Sequence, residues 1–151
     1  MALKLVLKPM ERFVINGAVV VNGDRRSYLL IQNNASILRE KDVMQEREAG
    51  TPVRRIYFAI QMLYLDDANR SVYLKLFDRR LQEFLGAIKD REVRAQCASV
   101  LSDVENRNFY RALSTCKKML PFEDARLKCV PTSGQLVDRG FLDLQRTALA
   151  N

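Results

Sequence analysis

The side chains best able to do chemistry in the first 41 residues are cations. They are Lys4, Lys8, Arg12, Arg25, Arg26, Arg39 and Lys41. Lys and Arg contact the phosphates of nucleic acids, and an open strand edge offers backbone groups that read unstacked bases. The same residue types on edge strands also prevent aggregation. From the residues alone, this second interpretation is favoured.

Few aromatic side chains near these cations could stack on bases. Phe13 and Tyr28 are the two candidates. Neither belongs to an RNP-like pattern, so the sequence does not predict an RNA-recognition domain of the RRM class.

Residues suited to catalysis are scarce. The chain has no His, which excludes a His-based nucleophilic triad. The pair Asp66-Asp67 could bind a hard cation or do acid–base work, but a cap between two helices is the better interpretation. Neither a P-loop pattern nor a GxGxxG phosphate-binding loop occurs. We therefore expect no enzyme and no cofactor.

The three cysteines do not form a metal or disulfide pattern. Cys97, Cys116 and Cys129 are odd in number and far apart, which argues against zinc and against a disulfide framework. Cys97 and Cys116 fall at apolar helix positions, where buried reduced thiols are expected. No segment is apolar enough for a signal peptide or a membrane span. We expect a soluble, cytoplasmic protein.

The chain is basic, and the excess is uneven. The formal net charge is +7 and the pI is about 9.6, which favours an anionic partner, although many basic proteins bind no nucleic acid. Residues 1–50 carry 8 Lys and Arg against 6 Asp and Glu, whereas residues 51–128 carry 15 against 10. The N-terminal part must therefore supply any binding specificity by its shape.

Five short strands are predicted in the first forty residues. Asn16-Gly17 and Asn22-Gly23 flank the apolar run 18–21, and Asn-Gly between apolar runs is typical of a type I′ hairpin turn. Pro9-Met10-Glu11 makes another turn, because Pro cannot continue a central strand. The pattern indicates an antiparallel β-meander with strands at 3–7, 12–15, 18–21, 27–31 and 35–39.

Four helices are predicted after a linker at 45–50. Thr51 is the expected N-cap and Pro52 the first helical residue, with a strand as the alternative because the segment at 53–60 is rich in aromatic and β-branched residues. Apolar spacing predicts the other three helices at 73–88, at 91–104 and from about 106 or 108 to 120, where Pro121 ends or kinks the last one. The fold class is therefore α+β. The expected domains are a β part at 1–48, a helical part at 51–128 and a tail at 129–151 that is expected to be flexible.

A sheet of forty residues is too small to be stable alone and leaves open edges. We expect it to pack on the C-terminal half, to pair with a second copy as a homodimer, or to do both.

Four segments carry a family resemblance. They are 3–18 (LKLVLKPMERFVINGA), 22–26 (NGDRR), 35–42 (ASILREKD) and Thr51-Pro52 followed by 55–58 (RIYF). Together they resemble the FlbT family of flagellar biosynthesis repressors, and the similarity continues through the helices to about Leu127. The chain departs from the family pattern at Met10, where Gly is expected before the Glu.

This resemblance implies post-transcriptional control of flagellin. It predicts a regulator that binds the 5′ untranslated region of flagellin mRNA and lowers its translation and stability until the hook is complete. It also implies an opposing partner, the small flagellar protein FlaF, and flagellin itself is another candidate partner.

The N-terminal part is similar, more faintly, to the carbon storage regulator (CsrA) class of translational repressors. The matching parts are Leu3-Lys4-Leu5 and Arg39-Glu40. That class forms five-stranded, strand-swapped dimers, and its RNA surface combines the first strand of one subunit with the last-strand arginine of the other. The resemblance makes Arg39 the best single RNA-binding residue. The other candidates are Leu5, Val6, Lys8, Lys4, Lys41, Arg25 and Arg26.

A second hypothesis assigns the function to the helical half. An exposed apolar groove between Thr51 and Leu120 would then hold a partner helix or a flagellar export substrate. In that case the protein is an adaptor, or a chaperone-like assembly factor, and RNA binding is indirect or absent.

Overall fold

The computed structural model describes residues 2–127. Within this range the chain forms two compact units, at 2–43 and 44–127. The first unit holds five antiparallel strands and the second holds four α-helices, which confirms the expected α+β class. The tail at 129–151, including Cys129, lies outside the described residues.

The five strands form two sheets. They are β1 (Leu3–Leu7), β2 (Arg12–Ile15), β3 (Ala18–Val21), β4 (Ser27–Ile31) and β5 (Ile37–Arg39). One sheet is the two-stranded ribbon β1-β4, and the other has the order β3-β2-β5. The strand order therefore differs from that of a meander, because β2-β3 is the only paired couple that is also consecutive along the described chain.

The two Asn-Gly pairs behave differently. Asn16 and Gly17 have φ values of 49° and 83°, so they form the predicted tight turn between β2 and β3. Asn22-Gly23 is absent from the positive-φ residues, and β3 does not pair with β4. The prediction of a hairpin at Asn22-Gly23 is therefore wrong. The Asn22 side chain instead donates hydrogen bonds to the backbone of neighbouring segments. Asn is suited to this role as well as to a turn position.

The core of the β unit follows the alternation of strand side chains. Leu5 and Leu7 of β1 point inward and pack with Phe13, while Lys4 and Val6 point outward. The partly buried residues against this cluster are Ile15, Leu29 and Ile37. Period-two alternation on β1 therefore gives one apolar face and one solvent face.

Helix α1 is the centre of the helical unit. The helices are α1 (Pro52–Leu65), α2 (Arg70–Ala87), α3 (Arg91–Glu105) and α4 (Phe109–Leu127). Helix α1 packs against both α2 and α4, and α3 packs against α4. Nine of the fourteen residues of α1 are buried, as expected for a helix that is apolar on most sides.

A buried carboxylate joins the start of α1 to the end of α4. Thr51 is the N-cap residue, as predicted, but its side chain makes no cap hydrogen bond. Glu123 Oε2 instead accepts the Val53 N–H at 2.7 Å, and the Thr51 hydroxyl donates to Glu123 Oε1. These bonds anchor the turn that follows Pro121. The expected end of α4 near residue 120 is therefore wrong, because the helix continues through Pro121 to Leu127.

The predicted linker at 45–50 contains a short 3₁₀ helix, Glu46–Glu48. The buried side chain of Gln61 holds Met44, just before this segment. Gln61 Oε1 accepts the Met44 N–H at 2.7 Å, and Gln61 Nε2 donates to the Met44 carbonyl at 2.9 Å. The segment is thus fixed to α1, and both polar ends of a buried amide are satisfied.

Candidate nucleic-acid interface

Arg39 connects the two sheets of the β unit. From the end of β5, Arg39 Nη2 donates to the Val6 carbonyl on β1 at 2.7 Å. Its Nη1 lies 3.5 Å from Glu11 Oε1, and the Arg39 side chain is 32% exposed. The arginine at the end of the last strand therefore contacts the first strand of the same chain. The guanidinium already has two protein partners, so a phosphate would share it with them or replace them.

Asn22 gathers the basic residues at one end of the β1-β4 ribbon. Its Nδ2 donates to the Lys8 carbonyl at 2.7 Å and to the Arg25 carbonyl at 2.9 Å, and its Oδ1 accepts the Ser27 hydroxyl at 2.7 Å. The side chains of Lys8, Arg25 and Arg26 are exposed, and the main chain of Lys8 and Arg25 is held by Asn22. We call these three residues the basic end. Exposed cations on neighbouring segments attract phosphates.

The outer face of the ribbon adjoins the basic end. It consists of Lys4 and Val6 on β1 and of Tyr28 and Leu30 on β4, all exposed. Lys4 Nζ lies 4.7 Å from the centroid of the Tyr28 ring. No Asp or Glu occurs at 3–8 or 26–31. The face is therefore apolar and aromatic, has a cation beside its ring, and carries no opposing charge from its own strands.

A depression rich in amide groups lies at the other end of the ribbon. Its lining includes Leu3 at the start of β1 and the three consecutive amides Gln32, Asn33 and Asn34 after β4. Amide side chains both donate and accept hydrogen bonds, so they suit the edges of bases.

The remaining predicted residues are not part of this surface. The side chain of Leu5 lies in the core, which leaves only its main chain to contact RNA. Lys41 is exposed but lies between two acids, in the 3₁₀ helix Glu40–Asp42. Phe13 is buried and cannot stack on a base, whereas Tyr28 can. Sequence reasoning missed Asn22, because Asn before Gly looks like a turn residue.

In the helical unit, the residues considered for chemistry have capping and packing roles. The Asp66 carboxylate accepts the Asn69 N–H at 3.3 Å, so Asp66 is the cap that the sequence predicted. Cys97 and Cys116 are free and buried as expected, and burial raises the pKa of both thiols. Within residues 2–127, no group of three His, Cys, Asp or Glu side chains is arranged to hold a metal ion.

These features define a class of protein: a two-unit α+β protein with a basic, aromatic surface on its β unit. The family model described as flagellar protein FlbT matches residues 3–127. The chain belongs to the FlbT family. The described residues 2–127 cover almost the same range as that match.

Curated relatives agree with this assignment. A probable flagellum biosynthesis repressor protein FlbT from Caulobacter sp. (strain K31) is 51% identical over 84% of this chain and 97% of its own length. The flagellum biosynthesis repressor protein FlbT of Caulobacter vibrioides is 47% identical over 84% and 90%. A probable FlbT repressor of Rhodopseudomonas palustris is 35% identical over 84% and 98%. These names describe repressors rather than enzymes.

No solved structure matches this chain. Among the helices at 52–127, none combines the length and the apolar character needed to cross a bilayer.

Proposed function

We propose that this protein represses flagellum biosynthesis by binding the 5′ untranslated region of flagellin mRNA through its β unit. Binding there lowers translation and promotes decay of the message. The FlbT relatives named as repressors support the regulatory role. The observation that carries the RNA assignment is the basic end next to an outer face whose strands have no acid.

Different residues of this surface suit different contacts with RNA. Lys8, Arg25 and Arg26 suit phosphates, and phosphate contacts position a nucleic acid without reading its sequence. Arg39 adds a guanidinium beside the Val6 carbonyl. A bound leader would cover sequence that ribosomes must reach, and a message without ribosomes is open to nucleases, which accounts for repression and decay without any catalytic group.

A gel shift with purified protein and a flagellin leader at about 150 mM salt tests the proposal. The variant Arg25→Ala/Arg26→Ala removes two charges from the basic end. The matched control Lys117→Ala/Lys118→Ala removes two charges from exposed positions on α4. We expect the first variant to weaken binding and to reduce the slope of log K against log salt by about 1.4, the value for two contacts to a single strand.

The control distinguishes an effect of the position of the charges from an effect of net charge. Equal losses in the two double variants would show that only net charge matters, and they would refute the assignment to the β unit. Arg39→Ala is expected to weaken binding by about 1–3 kcal/mol. That substitution also cuts the link between the sheets, so its stability must be measured beside its affinity.

A homodimer through the β unit is a second part of the proposal. All four residues of β3 are exposed, all are apolar, and β3 is an edge of its sheet. An apolar edge strand without charge or Pro is a site for strand pairing. Sedimentation equilibrium should show a dimer for the native chain and a monomer for Val20→Lys. A native monomer at all concentrations would exclude this pairing.

The adaptor hypothesis has less support from the structure. The side chains that would line a groove on α1, such as Val53, Ile56 and Ile60, are fully buried. A FlaF-type regulator or flagellin would then bind elsewhere on the helical unit. A nuclease-resistant pull-down of one flagellar protein, together with no gel shift, would favour the adaptor over the RNA-binding regulator.

A further inference from the structure

We propose that Tyr28 is a stacking platform for an unpaired base, and that the protein therefore selects single-stranded RNA. This inference rests on the proposed function and names the class of RNA that the same surface takes. The feature behind it is the outer face of the ribbon, where the ring is exposed between apolar neighbours and cations.

The position of Tyr28 suits stacking. Its side chain is 59% exposed, and it lies directly opposite Val6 in the antiparallel ribbon. The inward face of the same ribbon packs on the core through Leu5, Leu7 and Leu29. A ring fixed on a packed strand loses little conformational freedom when a base stacks on it, and every base offers a π face.

The charges around the ring suit the phosphates on either side of a stacked base. Lys4 on β1 and Lys8, the residue after the end of β1, lie four positions apart, about 13 Å for extended chain, and Val6, the partner of Tyr28, lies midway between them in the sequence. Lys4 Nζ lies over the ring, 4.7 Å from its centroid, so a base that stacks on this face displaces the ammonium, which then binds the adjacent phosphate. Charge complementarity therefore favours a polyanion as the occupant of this apolar face.

The flat, exposed ring selects against duplex RNA. Bases in an A-form helix are stacked on each other, and its deep major groove does not admit side chains. A ring on a β-ribbon meets a base face only where the base is already unstacked, as in loops and unpaired leaders. The amide-lined depression beyond Leu30 then offers hydrogen bonds to the next unpaired base.

A single-tryptophan reporter gives the first test. The chain contains no Trp, so Tyr28→Trp places one indole at the platform. Tyr110→Trp is the matched control, because Tyr110 on α4 is 56% exposed. We expect a single-stranded flagellin leader fragment to quench the indole of the Tyr28→Trp variant. At the same occupancy, the emission of the Tyr110→Trp variant should stay unchanged.

Affinity gives the second test. We expect Tyr28→Ala to weaken binding of the single-stranded fragment by about 5- to 150-fold, the range for losing one base–aromatic stack. Tyr28→Phe should keep nearly full affinity, since the ring remains, and Tyr110→Ala should bind like the native chain. The same fragment annealed to its complement should compete poorly.

Each contrary outcome has a separate meaning. If the native protein binds the fragment but Tyr28→Ala binds equally well, or the duplex competes equally, the platform is refuted and the RNA-binding regulator stands. If the native protein binds no leader at all, both the platform and the RNA-binding regulator are refuted. If emission of the Tyr28→Trp variant shifts to the blue as protein concentration rises without RNA, a second copy of the chain covers the face, and the platform is refuted.

Discussion

Replacing Glu123 should destabilise the helical unit far more than replacing its neighbour Asp124. Both carboxylates pair with Arg54, at 3.3 Å and 2.9 Å respectively. The Glu123 side chain is only 6% exposed, whereas that of Asp124 is 46% exposed. Only Glu123 also accepts the Val53 N–H and the Thr51 hydroxyl. The two substitutions therefore separate a buried helix cap from a surface ion pair.

The magnitude follows from the contacts that each side chain loses. Loss of an N-terminal helix cap costs about 1 kcal/mol, and a hydrogen bond to a charged group contributes about 1.5–3 kcal/mol. Glu123→Ala should therefore lower the free energy of unfolding by about 2–4 kcal/mol. An exposed pair contributes at most about 1 kcal/mol, although hydrogen bonding to Asp124 is the main reason that the pKa of Arg54 is raised. Asp124→Ala should stay within that limit.

Urea unfolding followed by far-ultraviolet circular dichroism measures this difference. With a slope of about 2 kcal/mol per molar urea, Glu123→Ala should lower the midpoint by about 1–2 M, and Asp124→Ala by less than about 0.5 M. Glu123→Gln keeps one acceptor oxygen and should fall between them. Equal midpoint shifts for Glu123→Ala and Asp124→Ala would refute the capping role.

Two further predictions concern the turn at Met10 and the buried thiol of Cys116. Met10 has a φ of 59°, and a non-Gly residue in the left-handed region costs about 1–2 kcal/mol. Met10→Gly should stabilise the protein by about 0.5–1 kcal/mol after the entropy of Gly is counted, while a gain in Met10→Ala as well would exclude backbone strain as the cause. Burial raises the pKa of Cys116 above its ordinary value near 9, so the unfolded thiol loses its proton first as pH rises. Above pH 9 stability should fall by up to about 1.4 kcal/mol per pH unit. Urea midpoints measured across this pH range should therefore fall less for Cys116→Ala than for the native chain.

Local patterns in the sequence predicted most of the secondary structure. The bounds 3–7, 12–15, 18–21 and 27–31 agree with β1 to β4, because alternation and turn residues act over a few positions. The Thr51-Pro52 helix start and the Asp66 cap were equally local. Fold class and element order thus follow from short-range chemistry alone.

Long-range arrangement was not predictable in the same way. Strand β5 pairs with β2 rather than with β4, a choice that depends on packing between segments distant in the chain. Pro121 predicted that the helix ends or kinks there, yet the helix continues, and a carboxylate accepting an N–H 70 positions away holds the next turn in place. No periodicity in the sequence reports such a partner.

The candidate site shows the same limit. Residue type alone identified Lys4, Lys8 and the Arg25-Arg26 pair as cations, and a family resemblance singled out Arg39. Sequence could not show that Arg39 already has partners on β1 and in the turn before β2. Nor could it rank Tyr28 above Phe13, because exposure depends on which face of a strand the core covers.

The clamp between Thr51 and Glu123 also has a consequence for synthesis on the ribosome. The acceptor for the Val53 N–H is translated 70 residues after its donor, which is about 4–14 s at bacterial rates of elongation. During that interval the first helix has neither its cap nor the packing of the last helix. The nascent helical unit therefore spends seconds with the α4-facing side of its most apolar helix uncovered, when chaperones are most able to bind it.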